Sequence, residues 1–261
     1  MLDYVRIEDE HGDIRIMLRA QSRDWHGRFA GGGGGRFGSG GGGVRDALAQ
    51  AQSIEELNDA IAGEIQRISG QDTRVDLKGA DLEVGGEIGE GVARGLEHSP
   101  STRIAHLQTY GEGGSRPAGG AEGDGVERFA HARDGGISVD VRSAGDPSGL
   151  RADLKKQFDD GYLIERDPTG VAVHEFGHLA AKQARSRVAD GGVETEAFEH
   201  STMAAPPRVR RGDFVKEQIS GYAASNNEEL AAEAFADVVM NGSGASRLSH
   251  DIYDMVTRGV S

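Results

Sequence analysis

His174-Glu175-Phe176-Gly177-His178 decides how this chain is read. The pentapeptide has the form H-E-x-x-H and lies in a stretch, Val171 to about Arg185, whose composition predicts a helix. Residues four apart on a helix share a face, one turn above the other. Two imidazoles at that spacing can grip one tetrahedral metal ion from one side. Glu175, next to the first His, is then placed to polarise a metal-bound water, which is the arrangement of a catalytic zinc site with its general base on the same helix. Val171, Ala172, Val173, Leu179 and Ala180 predict that the helix is buried. Unpartnered polar groups inside a protein cost about 1–3 kcal/mol each, so the buried histidines need a partner, and a metal supplies one. The competing reading is a pair of hydrogen-bonded core histidines beside a surface Glu.

A catalytic zinc site takes three protein ligands and leaves one position open. No third His follows at close spacing, which argues against the pattern H-E-x-x-H-x-x-G-x-x-H. Downstream, Asn227 to Met240 predicts a second helix, Ala-rich and unbroken, with Ser225 or Asn226 as its N-cap. Glu229, Glu233 and Asp237 recur every four residues and form one acidic stripe among Leu230, Ala234, Phe235, Val238 and Val239. Such a stripe suits a carboxylate ligand with a supporting partner. Spacing alone leaves Glu228 open as the ligand, since one residue turns a helix by about 100°. Asp237 is expected to be structural, with a ligand His or a backbone amide as its partner.

Together, H-E-F-G-H and the later block Y-x-x-x-N-x-x-E-x-x-A-E-A-F, from Tyr222 to Phe235, resemble the catalytic domain of anthrax lethal factor and related metallopeptidases of the gluzincin type. The resemblance covers about residues 171–237. It implies that His174, His178 and Glu229 hold one Zn2+ ion, that Glu175 is the general base, and that Tyr222 is a catalytic hydrogen-bond donor. It also implies that Glu233 supports the ligands from behind. The segment between His178 and Glu229 does not match the family in sequence, which puts substrate specificity in doubt. The implied fold is α+β, a zincin-like domain with a short mixed sheet and two active-site helices. By the same analogy the sheet edge beside the H-E-x-x-H helix takes an extended peptide by strand addition, and Gly136 to Val141 is the strand expected there.

Composition narrows the classes. The chain has 261 residues and no Cys, so disulfides and thiolate ligands are excluded. A formal net charge of −14 argues against nucleic acid or an anionic membrane as a partner. No apolar run approaches the length of a membrane-spanning helix, and no secretory signal is evident at the N-terminus, so a cytoplasmic or virion-associated protein is expected.

Three segments are expected. Residues 1–30 form a hairpin (Tyr4–Glu8 with Asp13–Leu18) and a short basic-aromatic element, Ser22–Ala30. Residues 31–43, with ten Gly, form a flexible linker. Residues 44–261 form the metallopeptidase domain. The stretch Arg23 to Gly33 resembles R-D-x-x-G-R-F-A-x-G-G segments of tailed-phage head and portal-associated proteins, which implies attachment to such proteins through residues 1–30. Within the large segment, helices are expected over 44–51, 53–68, 81–96 and 150–161 and strands over 74–77 and 102–109. A hairpin is expected from 127–132 and 136–141. Residues 191–221 are expected to wall or lid the cleft, with His200 a solvated loop residue. The functional expectation is hydrolysis of protein or peptide substrates. Against it stand a non-enzymatic virion structural or docking protein with a structural metal, and a phage-borne toxin protease acting on a host protein.

Overall fold

The computed structural model describes residues 4–8, 14–18, 50–111, 129–185, 187 and 191–258. Contacts divide the chain into two compact units, Met1–Gly38 and Ser39–Ser261. In the first, β1 (Tyr4–Glu8) pairs antiparallel with β2 (Ile14–Leu18), Tyr4 opposite Leu18. The expected basic-aromatic element, the glycine run and most of the helix expected over 44–51 lie outside the described residues.

The second unit is α+β. Its elements are α1 (Ile54–Ser69), β3 (Arg74–Asp76), α2 (Leu82–His98), β4 (His106–Tyr110), β5 (Ala130–Arg133), β6 (Gly136–Asp140), α3 (Val141–Ala144) and α4 (Pro147–Asp159). They continue with α5 (Pro168–Gln183), α6 (Val193–Ala204), α7 (Arg211–Gln218), α8 (Asn227–Asn241) and α9 (Arg247–Val256). Capping sets many of the boundaries. Ser53 accepts from the Glu56 amide to start α1, and Asp81 accepts from the amides of Glu83 and Val84 to start α2. Pro147 and Pro168 take the first helical positions of α4 and α5, starting both earlier than their apolar periodicity suggested. No helix among the described residues is long and apolar enough to cross a membrane.

The sheet has four strands in the order β3-β4-β6-β5. β3, β4 and β6 run parallel, and β5 runs antiparallel to β6. The β5–β6 turn is made by Asp134 and Gly135, both with positive φ, as a two-residue turn of matching twist requires. This order corrects one expectation. Gly136–Val141 is not the edge strand: β6 lies between β4 and β5, and the edge beside α5 is β5. Alternation along a strand identifies its faces but not its neighbours.

α5 is central. It packs against α2, α8 and β5, and α8 in turn packs against α6 and α9. Thirteen of the sixteen residues of α5 are buried. The α2–α5 crossing is close because of glycine. A Cβ on Gly91 would lie 2.4 Å from the Thr169 carbonyl oxygen, and one on Gly95 would lie 2.5 Å from the Phe176 ring. Gly91→Ala is therefore expected to destabilise the protein. Ala gains about 1 kcal/mol in helix propensity. Overpacking against backbone that cannot step aside costs about 3 kcal/mol at the upper end of the usual range. A net loss of about 2 kcal/mol in denaturant unfolding is expected; equal or greater stability would show that α2 and α5 are free to separate.

α6 and α7 form where a cleft wall or lid was expected. α6 packs on α8 and α9, and no α6 or α7 residue lines the cleft described below. His200 is on α6, half-buried, with its Nε2 3.3 Å from Asp251 Oδ2.

Candidate metal centre

The site forms where α5 and α8 cross. Asp167 caps α5 by accepting from the Gly170 amide at 2.9 Å, and Asn226, one of the two expected caps, accepts from the Glu229 amide at 2.9 Å to start α8. A Cβ on Gly177 would stand 3.1 Å from the Ala232 backbone and 3.2 Å from Phe235 Cβ, so the glycine inside H-E-F-G-H brings the two helices together.

That approach puts three donors at one point. His174 Nε2 lies 3.0 Å from Glu229 Oε2, His178 Nε2 lies 3.1 Å from the same oxygen, and the two nitrogens are 3.1 Å apart. His174 and Glu229 are buried, and the His178 side chain is 11% exposed. Ligands about 2.0–2.1 Å from a tetrahedral metal are separated from one another by about 3.3 Å. The observed triangle is within a few tenths of an ångström of that face. Two imidazole nitrogens and a carboxylate oxygen are also a suitable donor set for a divalent metal. These buried groups could therefore hold a metal ion.

A second set of possible ligand atoms lies behind the first. Glu165, His174 and Glu233 converge on the other nitrogen of His174, and all three are buried. Nδ1 is 3.1 Å from Glu165 Oε1 and 3.0 Å from Glu233 Oε1. Glu233 Oε2 accepts a 2.5 Å bond from Ser220 Oγ, and Ser220 Oγ accepts from the Ala223 amide.

The electrostatics follow from this crowding. Burial acts to lower the His174 pKa, but the charge and hydrogen bond of Glu165, together with the adjacent Glu229 and Glu233 carboxyls, outweigh it and hold the pKa well above the ordinary imidazole value. Burial acts to raise the Glu229 carboxyl, but hydrogen bonds from His174 and His178 outweigh it and pull the pKa well below the usual carboxylate range. Glu233 is pushed up to about 8, first by burial and then by the charge of Glu165. Acidic groups on both sides of one imidazole stabilise positive charge there, whether a proton or a metal ion.

In front of the triangle is a cleft with about 360 Å³ of open space, lined by Ala130, His131 and Ala132 of β5 together with Glu175, His178 and Tyr222. Glu175 is only 7% exposed and reaches this cleft from the helix that carries the histidines. Tyr222 lies in the turn before α8. Backbone bonds from Gly221 to Gly161 (3.0 Å) and from Tyr222 to Tyr162 (2.8 Å) hold that turn, and the Tyr222 ring stacks on His174 at 5.7 Å and 18°. Burial, then the nearby Glu229 charge, raises the Tyr222 pKa, so its hydroxyl keeps its proton.

All five residues singled out in the sequence, His174, Glu175, His178, Tyr222 and Glu229, thus meet at one place. Glu228 is not in the triangle. It lies exposed on the cleft rim. Asp237 takes the structural role, accepting from the Ser246 amide (3.2 Å), Ser249 Oγ (2.6 Å) and Asn241 Nδ2 (2.8 Å). Glu165, Ser220 and His131 were missed. Glu165 is nine residues before His174 in a loop, where no spacing rule points to a partner for that imidazole. No family model matches the chain, and no curated protein or solved structure matches it significantly.

Proposed function

We propose that this chain is a zinc-dependent metallopeptidase of the gluzincin type, with a zincin-like fold akin to the anthrax lethal factor catalytic domain. The observation that carries the reading is the 3.0–3.1 Å triangle of His174, His178 and Glu229, with Glu175 and Tyr222 lining the cleft in front of it. Those three residues would hold the ion. A bound zinc supplies Lewis acidity, lowering the pKa of water towards about 7 and polarising a carbonyl. Glu175 takes the proton of the attacking water and passes it to the leaving amine. The Tyr222 hydroxyl, kept protonated, donates a hydrogen bond to the carbonyl oxygen as negative charge grows on it.

The sheet edge supports a peptide as substrate. The Asp140 amide donates to the Phe129 carbonyl at 2.7 Å, and Ala130 pairs with Val139. Hydrogen-bonded pairs alternate along antiparallel strands, so His131 also faces β6, and the backbone groups of Ala130 and Ala132 turn outwards to the cleft. An extended peptide can pair there as a further strand. A non-enzymatic docking domain with a structural metal would have no use for Glu175 beside its ligands.

The test is elemental analysis of the purified chain followed by a peptide-library digest with and without chelator. About one zinc per chain and cleavage that chelator abolishes are expected. A chain that takes up no divalent metal, or that cleaves equally well when stripped of it, would refute the reading.

A further inference from the structure

His174 is flanked on both ring nitrogens, and the side facing away from the cleft carries one carboxylate more than it can bond. An imidazole with Nε2 given to a metal has a single hydrogen, on Nδ1. Glu165 Oε1 and Glu233 Oε1 lie at nearly equal distances from that nitrogen, 3.1 and 3.0 Å. Direction separates them. Glu165 Oε1 stands along the N–H and makes the hydrogen bond, whereas Glu233 Oε1 is off its line and is a buried oxygen with no hydrogen-bond partner. Glu233 is engaged elsewhere, through its other oxygen, by Ser220.

The setting of Glu165 points the same way. It belongs to the loop between α4 and α5, is 4% exposed, and approaches the first turn of α5 where Gly170 lacks a side chain. A Cβ there would meet Glu165 Cβ and Cγ at 3.2 Å. A carboxylate this buried is costly unless its hydrogen bonds are used.

We propose that Glu165 is the positioning residue for His174: its carboxylate accepts the Nδ1 hydrogen and fixes the tautomer and ring orientation that leave Nε2 free for the metal. Glu233, four residues beyond Glu229, is the partner the family resemblance implies, and here it acts as the link to Ser220 instead. The proposal rests on the metal reading of the site, and the test keeps the two apart.

The experiment uses the full chain, stripped of metal and titrated with Zn2+ against a competing chelator, and with Co2+ for its visible absorption. Three variants are compared with the parent. Glu165→Met keeps the volume but accepts no hydrogen bond; Glu165→Gln keeps an accepting oxygen; Glu233→Gln is the control. Zinc affinity should fall about 10–100-fold in Glu165→Met, the usual loss when a ligand's supporting partner is removed. Its Co2+ spectrum should change. Glu165→Gln should recover most of that affinity, and Glu233→Gln should stay near the parent. Rescue by Gln is what a mere packing role would not give. Should Glu165→Met not fold, Glu165→Asp takes its place, with the same loss expected from the withdrawn carboxylate. Parent-like affinity in the variant lacking the contact would overturn the proposal, as would equal losses in Met and Gln. Two metal ions per parent chain would overturn it too, because Glu165 would then be a ligand. A parent chain that binds no metal would instead sink the reading of the site itself.

Discussion

Replacing Glu175 with Gln is expected to leave metal content unchanged and to slow peptide cleavage about 10²–10⁴-fold, the range for loss of a general base. The geometry separates these effects. Metal retention is expected because Glu175 is outside the His174–His178–Glu229 triangle, and the amide is close in size to the carboxylate it replaces. Loss of rate is expected because Glu175 lines the cleft only a residue from a ligand, and a neutral amide cannot take the water's proton. Zinc content and turnover should be measured on one preparation. Wild-type turnover would exclude Glu175 as the base; loss of zinc would show that Glu175 helps to hold the metal.

The second large effect is expected at α8. Glu229→Ala should abolish tight zinc binding, because it removes the oxygen 3.0 and 3.1 Å from the two imidazole nitrogens. Glu228→Ala should leave zinc affinity nearly unchanged, since that side chain stands exposed on the cleft rim. One residue on the helix thus separates the proposed ligand from a position on the cleft wall. Glu229→Ala should also free His174 and His178 of their shared acceptor, so refolding in the absence of metal is the control for stability. Zinc titrations of both variants decide the matter. Tight zinc binding in Glu229→Ala, or its loss in Glu228→Ala, would show that α8 is in the wrong register.

What was legible in the sequence was what lies within one helix. His174, Glu175 and His178 share a face because of helical pitch, and Glu229, Glu233 and Asp237 form a stripe for the same reason. The capping residue Asn226 also announced its helix. What tertiary packing decides was not legible. The order β3-β4-β6-β5 puts β5, not β6, at the edge, and nothing in the alternation of Ile137, Val139 and Val141 says which neighbour a strand takes. Glu165 reaches His174 only after α4, its following loop and α5 are folded together. α6 and α7 escaped because their apolar faces are thin, with Val193 and Ala197 buried on one and Val215 on the other. No expectation covered α9, although Ser246 caps it and Leu248, Ile252, Met255 and Val256 make its buried stripe.

The acidic stripe of α8 has a consequence of its own. Glu229, Glu233 and Asp237 repeat at intervals of four, so the helix is marked like a ruler. A slide of one turn past α5 would bring another acid towards the histidines. Ala232 at Gly177 would be replaced by Ala236, which is equally small, so that contact alone does not forbid the slide. The ends do. Asn226 pins the first turn through the Glu229 amide, and Asp237 pins the last turns to the start of α9 through Ser246 and Ser249. The three carboxylates are alike in the sequence and not interchangeable in the fold. The two clamped ends select which mark on the ruler is read at the histidines.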